Sequence, residues 1–92
     1  MAMTKITDEF LRYMRYEKNR SPLTVKAYHD DLLDFETFFT DRDEALTWQT
    51  VDADIIRDWM EHMMERGNKS ASVNRRLSAV KMLFRFALSR HL

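Results

Sequence analysis

A single glycine, Gly67, and a single proline, Pro22, punctuate the whole 92-residue chain. A β-sandwich or barrel turns back on itself after every strand, and its turns draw on those two residue types. The scarcity predicts a few long helices and no sheet. The chain length sets one domain with a modest core. Apolar residues make up 45% of the sequence, enough for one such core, while the 33% that are charged must be solvated or paired.

Helical periodicity divides the chain into four segments. The first helix is predicted over Thr7–Lys18, with Thr7 as cap and Ile6, Phe10, Leu11 and Met14 facing inward. The second is predicted over Pro22–Phe39. Ser21 is its cap and Pro22 its first residue, and Val25, Tyr28, Leu32, Phe35 and Phe39 form its buried stripe. Residues 40–51 form a longer connection in which Leu46, Trp48 and Val51 fold back onto the core. The third helix is predicted over Ala53–Arg66, capped by Asp52 and stopped by Gly67, with Ile56, Trp59, Met60 and Met63 inward. The fourth is predicted over Ala71–His91 with Ser70 as cap and a stripe of Val73, Leu77, Val80, Phe84 and Ala87. Leu83, Phe86 and Leu88 widen its apolar arc. The fold class is therefore all-α, a compact four-helix bundle.

The formal net charge of zero hides a segregation. Residues 1–28 hold six Lys/Arg against three Asp/Glu, residues 29–66 hold three against twelve, and residues 67–92 hold six against none. Two basic ends flank an acidic middle, so a polyanion-facing surface forms if the ends meet in space; otherwise each is a solvated face. The acids of the middle then point elsewhere or pair with Arg12, Arg15 and Arg57.

The basic residues fall in a useful pattern. At the start of the fourth helix stand Lys69, Ser70 and Ser72, and away from its apolar stripe stand Asn74, Arg75, Ser78, Lys81 and Arg85, with Arg76 at the border. Lys and Arg neutralise phosphates, hydroxyls and helix-start N–H groups donate to phosphate oxygens, and Arg and Asn can read purine edges. The second helix likewise puts Thr24 and Lys26 in its first turns and delays Asp30, Asp31 and Asp34 to later ones. Its amino end alone can approach a phosphate backbone without repulsion.

Enzymatic chemistry finds little footing. One glycine cannot make a phosphate-binding loop. The absence of cysteine excludes disulfides and thiolate sites. His62 has Asp58 and Glu65 at helical spacing, but no second helix offers matching ligands, so no metal and no cofactor is expected. Tyr13, Tyr16 and Tyr28 have no activating base and are expected at the core edge. Seven methionines offer another reading, a helical protein-interaction module working through Met60, Met63 and Met64 and through Met82 and Phe86, expected on the outer side of the fourth helix. No apolar run approaches the roughly 20 residues of a membrane span, and no signal-peptide core opens the chain, so a cytoplasmic location is expected.

The stretch "RSPLTVKAYHDDLLDF" resembles the signature of the N-terminal core-binding domain of tyrosine recombinases, in the Xer and phage-integrase superfamily. The matching positions are Ser21, Thr24, Tyr28, Asp31, Leu32 and Phe35. The stretch "NRRLSAVKMLFRF", residues 74–86, is similar to the family's fourth helix. The resemblance implies a SAM-like helical domain forming half of a clamp on double-stranded DNA, with the second and fourth helices across adjacent turns of major groove. Carried over by position, Thr24, Lys26 and Ala27 face DNA from the second helix. Ser72, Arg75 and Ser78 do so from the fourth, with Arg76 and Lys81 as backbone contacts. It also implies that residues 1–92 are this one domain, that the chain binds DNA without cutting it, and that a C-terminal catalytic domain of the same parent and further recombinase protomers are its partners.

Overall fold

The computed structural model describes residues 5–90, and all its regular structure is helical. Helix α1 is Lys5–Arg12, α2 is Pro22–Arg42, α3 is Ala53–Glu65 and α4 is Ser70–Ser89.

Thr7 was expected to cap the first helix, but it lies inside α1 and is fully buried. It shares an inward face with Ile6, Phe10 and Met14, and packing of that face overrides its capping propensity. The helix then widens over Tyr13–Glu17 into a turn with i→i−5 spacing, where Lys18 N–H donates to the Tyr13 carbonyl at 3.1 Å. Asn19, at φ 53°, completes the reversal in the left-handed region that Asn tolerates better than most residues.

Helix α2 starts as its sequence predicts. Ser21 Oγ accepts from Thr24 N–H at 3.2 Å, and Pro22 occupies the first turn. It runs one turn past Phe39, because Phe39 itself is core and Thr40 Oγ1 bonds back to the Glu36 carbonyl at 2.8 Å. Helix α3 is capped by Asp52, which accepts from Ile55 N–H at 3.0 Å. It stops at Gly67, whose φ of 92° lets Asn68 N–H reach the Met63 carbonyl at 3.1 Å and Gly67 N–H reach Met64 at 3.0 Å. Ser70 is the first residue of α4 and not its cap; Lys69 holds that position, and no side chain closes the turn. The expected end at His91 lies outside the described residues.

The core joins all four helices and the connection. Phe35 packs edge-on against Phe39 and Trp48 and tilts over Trp59, and Trp48 also meets Phe39 and Phe84. On the other side, Phe10 and Tyr13 close on Phe86. Phe86 is thus buried, contrary to its expected outward projection. The inward arc of α4 is centred on Val73, Ala79, Val80, Leu83 and Phe86, leaving Leu77 and Phe84 at its margin. Leu88 and Tyr16 are exposed rather than packed.

Trp48 also carries a polar bond into the core. Its Nε1–H donates to Glu36 Oε1 at 3.1 Å, and both side chains are buried. Trp48→Phe keeps most of the ring but leaves that carboxylate oxygen without a donor. It should destabilise the fold by about 1–3 kcal/mol in urea unfolding followed by circular dichroism. A loss below about 0.5 kcal/mol would mean the bond carries nothing.

Candidate nucleic-acid interface

Helices α2 and α4 pack against each other, and an ion-pair network fixes how. Asp31 is an acid on the inner side of α2 with a side chain only 4% exposed. Arg75 donates from Nη2 to its Oδ1 at 3.0 Å, and Arg76 Nε lies 3.6 Å from the same oxygen. One turn along, Asp34 accepts from Trp59 Nε1 at 3.0 Å, from Arg76 Nη1 at 3.2 Å and from Arg66 Nη2 at 3.1 Å. Asp31 and Asp34 of α2 therefore meet cations from α4 and from the end of α3. Of the arginines expected to pair with the acidic middle, Arg57 does so locally, with Asp54, while Arg15 lies over the Tyr16 ring.

This network places the predicted contacts relative to one another. Thr24 precedes Asp31 by seven residues, two helical turns and about 10 Å, and so falls on nearly the same line of α2. Ala27 lies between them. The line that carries Thr24 and Ala27 thus continues into Asp31, the buried residue that meets Arg75 where α2 and α4 pack. Thr24 and Ala27 are half-buried along it. Thr24 Oγ1 accepts from Ser21 Oγ at 3.0 Å, which leaves its own hydroxyl proton available. Lys26 is exposed and pairs with Asp30 at 3.2 Å, an i,i+4 contact in open solvent that costs little to exchange for a phosphate.

On α4, Asn74, Ser78, Lys81 and Arg85 are all exposed and recur at spacings of 4, 3 and 4, so they form a single outward line. Ser78 Oγ donates back to the Asn74 carbonyl at 2.9 Å. Lys69 is exposed and Ser72 half-buried at the uncapped start of the helix. Arg75, whose side chain is 59% exposed, is anchored to Asp31 at one nitrogen. Arg76, expected as a DNA-backbone contact, sits deeper. Only 26% exposed, it is committed to Asp31 and Asp34. Sequence reading also missed Asp31 as the hub of this surface; the available signal was an acid embedded beside Leu32 in an otherwise apolar stripe.

Two other candidate sites dissolve. His62 stacks on Phe38, Asp58 pairs with Arg42, and among the described residues no cluster of three metal-ligating side chains forms. The methionine surface is largely internal: Met63 is buried, Met60 and Met82 are half-buried, and Met64 alone of the set stands exposed.

The chain matches the phage integrase N-terminal SAM-like domain over residues 7–91. It belongs to that family. The tyrosine recombinase XerC of Pelotomaculum thermopropionicum is 36% identical over 83 residues, covering 86% of this chain and 27% of that protein. XerC of Natranaerobius thermophilus is 33% identical over 78 residues, covering 85% of this chain and 26% of that protein. XerD of Bradyrhizobium diazoefficiens is 36% identical over 85 residues, covering 92% and 26%. The chain thus spans about a quarter of the length of these relatives. No solved structure matches it significantly. Among the described residues no helix is long and apolar enough to cross a membrane.

The buried position of Asp31 has a pH consequence. Desolvation pushes its carboxyl above the ordinary range, and the Arg75 and Arg76 charges only partly oppose this. A raised carboxyl binds its proton more tightly when folded. Its contribution to stability is therefore greatest below the ordinary carboxylate range and is lost as pH rises through the raised value. Wild-type protein should gain stability relative to Asp31→Asn as pH falls from neutral through that range. Parallel urea titrations of both proteins check it, since the other carboxylates are common to the two. A relative loss on acidification would show that the cations outweigh desolvation.

Proposed function

We propose that this domain is one half of a DNA clamp in a tyrosine site-specific recombinase, binding double-stranded DNA across the joined faces of α2 and α4. The observation that carries the reading is the exposed line Asn74–Ser78–Lys81–Arg85, beside Arg75, on a helix without a single acid. Lys81, Arg85, Lys69 and Lys26 neutralise phosphates. Ser72, Thr24 and the uncapped first turn of α4 donate to phosphate oxygens, and Arg75 with Asn74 samples base edges. Ala27 offers no hydrogen bond, and its small side chain lets α2 approach closely. The family membership supports the recombination role, and the relatives' names support the Xer-like assignment.

In this reading the chain positions DNA and does not cut it. Chemistry resides in a catalytic domain of the parent protein, on its C-terminal side, and neighbouring protomers assemble on the same DNA in the cytoplasm. A reading frame continuing past Leu92 into an Arg, a His-x-x-Arg and a Tyr is the corresponding genetic expectation. The methionine-based interaction module is disfavoured because Phe86 and Met63 are spent inside the core.

The domain should bind a fluorescently labelled duplex at low salt, with log affinity falling linearly as log salt rises. Removing Lys26 or Lys81 should weaken binding uniformly across sequences and shallow that slope by about 1. Arg75→Ala should cost about 1–3 kcal/mol, concentrated on particular sequences. Anisotropy titrations at several salt concentrations read all three. A chain that leaves the duplex free even at the lowest salt is not a DNA-binding domain.

A further inference from the structure

Asp31 carries the wrong charge for a helix surface that approaches phosphate, and it lies on the same line as Thr24 and Ala27. Its environment resolves the conflict. The carboxylate is sunk between α2 and α4, with Arg75 and Arg76 both directed at Oδ1. Arg76 is largely enclosed, hydrogen-bonded to Asp34 at 3.2 Å, and flanks the Asp31 carboxylate with Nε at 3.6 Å without a hydrogen bond. Arg75 differs. A single nitrogen is tied to Asp31, and the side chain as a whole is 59% exposed.

A free arginine on a helix surface samples many rotamers and loses that freedom when it docks. An arginine anchored at one corner has already lost it, and its open edge points in a fixed direction. A planar fork held this way matches the O6 and N7 acceptors of guanine in the major groove. The geometry points to Asp31 as a positioning residue that holds Arg75 ready to read a guanine edge. This rests on the DNA-binding reading above. Asp31 touches no DNA in this arrangement; it acts through Arg75, and the paired arginines screen its negative charge from the backbone.

The test is selection from a pool of duplexes with randomised positions, at low salt, using the 92-residue chain and sequencing the bound fraction. Wild type should enrich guanine at one position. Asp31→Asn should bind the unselected pool at least as tightly, a negative charge having been removed, while guanine preference at that position drops about tenfold. Arg75→Lys, which keeps the charge without the fork, should lose the same preference, and adding Asp31→Asn to it should change nothing further. Should Asp31→Asn fail to fold, Asp31→Glu replaces it. The added methylene displaces the anchored fork while keeping the ion pair, and the preference should again fall. Wild type that binds without base preference, or a preference that survives Asp31→Asn or Asp31→Glu, overturns the positioning role alone. An Asp31 substitution that weakens binding to all sequences equally, with base ratios unchanged, also overturns it. Wild type that binds no duplex overturns the DNA reading itself.

Discussion

The arrangement of the helices depends on two acids of α2, Asp31 and Asp34, that face inward. A carboxylate removed from water needs partners, and these find them in Arg75 and Arg76 of α4, Arg66 at the end of α3 and the Trp59 indole. Three helices are tied at one place. Such a network adds less net stability than its distances suggest, because desolvation offsets most of the attraction. What it supplies is register. Sliding α4 along α2 by one turn would strand a buried carboxylate and two arginines together, which no apolar repacking offsets. The aromatic cluster around Phe35 stabilises the bundle, and the ion network selects which bundle it is.

The same pairing explains how a chain of zero net charge presents a cationic face. The acids and bases are separated along the sequence and recombined in space, unevenly. Arg66 and Arg76 are consumed by α2, and Arg42 and Arg57 by acids of α3. Lys69, Lys81 and Arg85 are outside this recombination. They remain on the outer side of α4 and at its start, where no acid of that helix opposes them. The net charge is therefore a poor guide to the surface, and the order of charges along the chain is a better one.

Most of this architecture was legible in the residues because local signals and tertiary packing agree. Ser21–Pro22, Asp52 and Gly67 act where their capping chemistry says they should, and the Leu32–Phe35–Phe39 stripe is the buried one. The misreadings share a cause. Thr7 and Ser70 have the chemistry of caps, but the inward demand of Ile6, Phe10 and Met14 and the packing of α4 set those boundaries instead. Phe86 was placed outward by a wheel centred on Val73. The aromatic pocket of Phe10 and Tyr13 rotates the true centre toward Leu83. Periodicity gives the width of an apolar arc, whereas its centre is decided by whichever helices arrive opposite it. The site divided likewise: the cationic line of α4 follows from spacing alone, while the Asp31–Arg75 bond joins residues 44 positions apart and has no local signature.

That bond bears on why α2 carries an acid in its third turn. Asn would have lowered the desolvation cost and removed a negative charge from α2. It would also have left Arg75 without a charged partner at this point, while Arg76 kept only Asp34. Aspartate draws both toward one carboxylate, Arg76 on the enclosed side and Arg75 on the exposed side. Burial keeps the carboxylate from acting at a distance, since its field is met at once by two guanidinium groups. In the proposed DNA-binding role, a short acid at this depth reconciles two demands that conflict on an open helix face: α2 coming close to phosphate, and the arginine beside it being held still.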